Sequence, residues 1–287
     1  MEREVTSDLS CVATAIPSRG RLHSLGLCWQ NLLNHRNVHP TGRILILASK
    51  TYQIDRPWKQ ADFCFVQTEH WNQGMAYSAC ADLWLRYEGW KYLLIVEDDS
   101  RCFPNHAQLL LEAMEANPTI GMLTMMGGWA GPIGSIRDTL QSYGHLLIRR
   151  EALVAAGGFY HEMPLRAETE FAIRLYLAGY SFRALVHTTG PRHAKMTYGG
   201  AADTIGPPTE SMEMRGREMA RAIVSQDYRM NKWIRTNRYN GDIILYRKLI
   251  EEKVKDGSAR RLLDSLLERR KARVGYTQAD LDAATWL

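Results

Sequence analysis

The run Tyr92-Leu93-Leu94-Ile95-Val96 passes directly into Glu97-Asp98-Asp99, five apolar residues followed by three carboxylates. A strand without polar alternation is buried on both faces, which is the pattern of a mostly parallel sheet covered by helices. Runs of the same kind recur along the chain. Residues 9–16 (LSCVATAI) are stopped by Pro17-Ser18-Arg19-Gly20, and residues 44–48 (ILILA) follow Gly42-Arg43. Shorter runs at 62–67, 121–126 and 145–148 also read as strands. Between them, apolar residues fall at helical spacing over 24–33, 74–87, 109–116, 151–156 and 168–178, the last closed by Gly179. Strands alternating with helices predict an α/β layer fold with a mostly parallel central sheet. Residues 188–211 are rich in Gly, Pro and Thr and read as a long loop or lid.

Composition narrows the class of partner. The chain has 287 residues, 45% hydrophobic and 23% charged, which excludes collagen-like, low-complexity and wholly disordered proteins. Its apolar runs are far short of the ~20 residues that span a bilayer. The polar start MEREVTSDLS lacks the apolar stretch of a signal peptide. Five scattered cysteines without a CxxC pair argue against a disulfide framework or a zinc site, and make a reducing cytoplasm the expected setting. The net charge of +5 is concentrated at one end. Residues 208–287 hold 17 Lys/Arg against 12 Asp/Glu, whereas residues 1–207 hold 19 of each. The chain therefore divides at 207/208 into an α/β part and a basic part. The latter has helical patterns near 213–233, 243–255, 258–272 and 277–286.

Ligands of open α/β sheets bind beyond the carboxyl ends of the strands, where Glu97-Asp98-Asp99 stands. Three adjacent carboxylates repel one another, and a hard divalent cation holding a diphosphate relieves that repulsion. A solvated acidic turn before a helix is the alternative, and the triplet alone leaves both open. Further elements follow in a fixed order. The first strand ends in Pro17-Ser18-Arg19, and Asn72-Gln73-Gly74 opens a helix with small residues at Ala76, Ser78, Ala79 and Ala81. After the acidic turn come Gly157-Gly158-Phe159, then Glu168-Thr169-Glu170-Phe171 with Arg174 and Gly179, and finally His193. In this order and spacing the chain resembles, over about residues 9–195, the nucleotide-sugar glycosyltransferases of the GT-A fold, in particular the large inverting family 2.

The resemblance implies roles for particular residues. Pro17, Ser18, Arg19 and Arg21 would border the base and ribose of the donor, with Asn72, Gly74, Glu97 and Asp98 also on the donor. Asp99 matches the last residue of a DxD-type motif and would ligate Mn²⁺ or Mg²⁺. Glu97 stands where that motif usually begins with Asp. The family's acidic pair is usually Glu-Asp, whereas this chain has Ala167-Glu168, with Glu170 two residues on. The general base is therefore Glu168 or Glu170, although first-turn acids are also favoured by the helix dipole without catalysis. His193 would complete the metal site, with His187 as its competitor. The implied reaction moves a sugar from a nucleoside-diphosphate sugar to an acceptor hydroxyl, with inversion as the expected outcome and retention left open by the residues alone. An unperturbed glutamate, with a pKa of about 4.3, is ionised at neutral pH and suited to act as the base.

The acceptor is read from the basic end. Residues 215–273 carry 17 basic and 8 acidic side chains, and residues 228–239 interleave cations with aromatics. Lys232, Trp233, Arg235 and Arg238 have the chemistry to hold phosphates and stack on bases, as a DNA acceptor requires. A hydroxymethylated base, as in viral DNA modification, would supply the hydroxyl. A glycan or lipid-linked acceptor, or a solvated helical face with no ligand, remains open. Two other classes compete. One is a nucleotidyltransferase, although residues 17–21 lack its glycine-rich phosphate loop. The other is a sugar-nucleotide-binding module without turnover.

Overall fold

The computed structural model describes residues 9–18, 22–38, 44–49, 63–68, 73–98, 100–127, 131–139, 142, 144–160, 167–187, 251, 255, 257–271 and 285–286. A 3-10 turn (Leu9–Cys11) leads into β1 (Val12–Pro17), followed by α1 (Leu22–Asn34), β2 (Ile44–Ser49) and β3 (Phe63–Thr68). Next come α2 (Gln73–Leu85), β4 (Tyr92–Val96), α3 (His106–Glu115) and β5 (Ile120–Gly127). Then follow β6 (Ile136–Asp138), β7 (His145–Arg149), α4 (Arg150–Ala156), α5 (Ala167–Leu177) and β8 (Ser181–His187). From the basic part, α6 (Ser258–Lys271) and β9 (Thr285–Trp286) are described. No helix among the described residues is long and apolar enough to cross a membrane.

The strands form one sheet in the order β6-β8-β5-β7-β4-β1-β2-β3-β9. β3, β2, β1 and β4 are mutually parallel, and β8 is parallel to β5. β7 lies antiparallel between β4 and β5, so among the described residues six of the nine strands share one direction and β6, β7 and β9 oppose it. The carboxyl ends of β1, β4, β5 and β8 thus meet along one edge, joined there by the amino end of β7.

Side-chain alternation sorts the core onto two faces. Leu93 and Ile95 of β4 face the layer that holds Tyr77 and Trp84 of α2, Leu153 of α4, Phe171 and Leu175 of α5, and Ala259 and Leu263 of α6. Tyr92, Leu94 and Val96 face Cys28, Trp29 and Leu32 of α1 and Leu110 and Met114 of α3. The result is three layers with helices on both sides.

The structure departs from the sequence reading at the ends and edges. α3 begins at His106, three residues before its apolar pattern does, because Asn37 accepts the free N–H of Ala107 at 2.8 Å and donates to Phe103 O at 2.8 Å. β8, whose Phe182, Ala184 and Val186 are fully buried, lies beyond the strands read from sequence, as does three-residue β6. Residues 285–286, expected within a helix, instead extend the sheet beside β3. The patterns at 213–233, most of 243–255, and the loop at 188–211 lie outside the described residues.

α6 is seated where α4 ends. Gly157 caps α4 at φ 75°, and a Cβ placed there would stand 2.1 Å from Leu267 Cδ2. Gly157→Ala should therefore combine a left-handed penalty with overpacking and cost about 2–4 kcal/mol, read as a lower midpoint in urea unfolding. A loss of only the left-handed penalty, about 1–2 kcal/mol, would show that Leu267 yields without cost or that α6 is not held there in solution.

Candidate functional site

The acidic turn closes β4 and is fastened from three sides. Glu97 donates its N–H to Gly144 O at 2.8 Å, and its carbonyl accepts the Ser100 N–H at 2.9 Å. Asp98 is buried, and its Oδ2 accepts the Ser18 hydroxyl at 2.7 Å, which ties the end of β1 to the end of β4. Glu97 Oε1 accepts the Tyr77 hydroxyl at 2.6 Å and Gln73 Nε2 at 3.3 Å, both from α2. The other end of the Gln73 amide accepts the Ala167 N–H at 3.1 Å. One side chain thereby links the acidic turn to the first turn of α5, where Glu168 is buried.

The electrostatics show how near these groups are. The Tyr77 hydroxyl is held well above its ordinary range, first by burial and then by the negative charges of Glu97 and Glu168. Tyr77 therefore remains a neutral donor, placed between two carboxylates from different elements.

Glu168 and Glu170 are about 200° apart around the helix and serve different surroundings. Both Glu170 oxygens are taken by Arg174, with Nε at 2.6 Å and Nη2 at 2.5 Å. Arg174 is itself buried, lies over the Phe171 ring, and donates Nη1 to the carbonyls of Ala156 and Gly158 at the end of α4. Glu170, one of the two candidate bases, is thus committed to joining α5 to α4.

Other residues singled out in the sequence are distributed along the same edge. Pro17 ends β1 and Ser18 follows it, and Gly74 is buried in the first turn of α2. His187 ends β8 with its ring stacked on Phe103 at 4.3 Å, and burial lowers its pKa. Arg19, Arg21, Asn72, Asp99, His193, Lys232, Trp233, Arg235 and Arg238 lie outside the described residues. Tyr77 is absent from the sequence reading. Its position four residues after Gln73, on the same helix face, is the signal that would have indicated it.

On the opposite face of the same edge, Cys102, His106 and His145 converge in the interior. Burial pushes the Cys102 thiol up to about 12. It also holds His106 well below the usual histidine range, with the neighbouring His145 and His187 adding to the effect.

No protein-family model matches the sequence, and neither does any curated protein. Among solved structures, the chain is similar to the mannosyltransferase PcManGT from Pyrobaculum calidifontis, solved with GDP-Man and Mn²⁺. The TM-score is 0.55 at 15% identity, over 97% of this chain and 80% of that one. It is similar to GalNAc-T7 solved with UDP, GalNAc and Mn²⁺, with a TM-score of 0.50 at 10% identity, over 63% of this chain and 44% of that one. Residues 1–349 of TarS from S. aureus align with a TM-score of 0.46 at 12% identity, over 62% of this chain. The chain spans 60% of the length of that TarS chain. At such identities the likeness is one of architecture, and the architecture is the GT-A fold: a Rossmann-like, mostly parallel sheet between helical layers.

Proposed function

We propose that the chain is a metal-dependent glycosyltransferase that moves a sugar from a nucleoside-diphosphate sugar to an acceptor hydroxyl, with inversion. One observation carries this reading. At the carboxyl edge of a GT-A sheet, the buried Asp98 is fixed by Ser18, and the Tyr77-bound Glu97 beside it is linked through Gln73 to the first turn of α5, which bears Glu168. Two structural relatives, PcManGT and GalNAc-T7, were solved with nucleotides and Mn²⁺, in keeping with that chemistry.

The described acids of the turn fit a hard cation, since they offer oxygen donors and one Asp98 oxygen is already fixed by Ser18. Asp99, next to Asp98 in sequence, and His193 would hold such an ion. When bound, it supplies Lewis acidity against the charge that builds on the leaving diphosphate. The protein's own groups do the rest. Ser18 and Tyr77 fix the two acids, so no side-chain reorganisation is needed as charge develops. Glu168 accepts the proton of the acceptor hydroxyl as that oxygen attacks the anomeric carbon. Glu170, neutralised by Arg174, has a holding role and is not assigned as the base.

For the acceptor we propose a polyanion, with DNA bearing a hydroxymethylated base as the specific form. The support is the 17 basic against 8 acidic side chains of residues 215–273, together with the cations and aromatics around Lys232, Trp233, Arg235 and Arg238.

The test is a screen of nucleotide sugars with Mn²⁺ or with EDTA, using hydroxymethylated duplex DNA and neutral saccharides as acceptors. Release of nucleoside diphosphate from one donor, abolished by EDTA and restored by Mn²⁺, is expected. Full turnover in EDTA, or no turnover of any donor, defeats the assignment. Transfer to saccharides alone rejects the DNA acceptor and keeps the glycosyltransferase.

A further inference from the structure

We propose that Cys102, His106 and His145 form a second metal site, for a borderline-soft ion of the zinc class, separate from the oxygen-lined donor site. Their donor atoms all lie within 4.8 Å of one another. The three residues are 2%, 0% and 1% exposed. Both ring nitrogens of His106 are buried without a hydrogen-bond partner. A buried polar side chain without a partner is rare in a native fold and calls for an explanation, an unseen ion being one.

The scaffold around the cluster is built to hold it. Cys102 and His106 lie four residues apart on the segment that enters α3. That segment is pinned by α1 and the turn after it: Asn31 Oδ1 accepts the Cys102 N–H at 2.8 Å, and Asn37 grips Phe103 O and the Ala107 N–H. Asn105, at φ 60°, turns the backbone through the left-handed region directly before His106 opens α3. The third donor arrives from β7, where His145 pairs opposite Val96 and so faces the α3 layer. The rings of His106 and His145 are 4.5 Å apart and inclined by 30°. A tetrahedral ion at Zn–S of about 2.3 Å and Zn–N of about 2.0 Å needs its donors drawn in to about 3.4 Å, by rotation of these two rings.

The donor set selects the metal. One thiolate and two imidazoles favour zinc over Mn²⁺ or Mg²⁺, which prefer carboxylate and water oxygens. Binding displaces the thiol proton to solvent and leaves a fourth position for a water. An ion here would cross-link the β4–α3 segment to β7 just beyond the acidic turn.

The experiment uses the full chain, stripped with a chelator and reloaded with Zn²⁺ or Co²⁺ in the presence of excess Mn²⁺. One equivalent of zinc should stay with the protein through gel filtration. The Co²⁺ form should show a near-ultraviolet thiolate-to-cobalt band and the visible bands of a tetrahedral site. Cys102→Ser should lose the thiolate band, and Asp98→Asn should keep it. Absence of both zinc retention and the cobalt band in the wild-type chain overturns the proposal, as does a thiolate band that survives in Cys102→Ser. Loss of the band in Asp98→Asn with fold intact would merge the two sites and equally reject a separate one. The wild-type readouts stand even if a variant fails to fold, and sugar transfer enters none of them.

Discussion

Glu168→Gln should lower transfer by roughly 10²–10⁴-fold while donor affinity stays near wild type, the effect of removing a general base. The change is close to isosteric, so it takes away the proton acceptor and keeps the shape of the buried first turn of α5. The loss should fall on kcat if, as proposed, the carboxylate acts on the acceptor hydroxyl as bonds are being made and not on the resting donor. Steady-state kinetics beside calorimetry of nucleotide binding would separate the two. A Glu168→Gln enzyme that turns over normally removes this residue from the chemistry. If instead the donor no longer binds, Glu168 holds the nucleotide sugar and the proton goes elsewhere.

Arg174→Met should be among the most destabilising single changes in the α/β part, at about 3–5 kcal/mol, because it leaves Glu170 charged, buried and unpaired. Two carbonyls at the end of α4, Ala156 and Gly158, also lose their donor. Against a total stability of about 5–15 kcal/mol this is a large share, and thermal unfolding should move down by roughly 10 °C. The double variant Glu170→Leu/Arg174→Met removes both charges and should recover much of the loss, as buried pairs replaced by apolar residues commonly do. If the double variant is no more stable than the single, the ion pair is not the source of the penalty.

These two carboxylates mark how far the sequence could be read. Burial of both faces of β1 and β4 was visible as unbroken apolar runs, and the acid-bearing turn followed from its place after one of them. The antiparallel direction of β7 was not visible, because a fully buried strand has the same composition whichever way it runs. β8 was missed because Arg183 interrupts its apolar residues, and that arginine is accommodated by an ion pair with Asp138 of β6. That Arg174 pairs with Glu170 and also binds a carbonyl at the end of a helix 18 residues earlier could not be read from local spacing. Likewise, the scattered cysteines read as arguing against a zinc site, whereas the pairing of β7 with β4 brings His145 beside Cys102 and His106. Local spacing cannot encode a neighbour set by topology.

The short strand β9 has a consequence for how the chain is made. It pairs Trp286 with Cys64 and Thr285 with Phe65, so among the described residues the strand on the outer edge of β3 comes from more than two hundred positions later in the chain. At about 5–20 residues per second, a ribosome needs on the order of 10–45 s to reach them after β3 has been synthesised. During that interval the β3 backbone groups that pair with β9 lack that partner, and they offer a template on which a neighbouring nascent chain can add a strand. Expression yield should therefore be sensitive to chaperone supply and to translation rate, and slower growth at low temperature should favour soluble product over inclusion bodies.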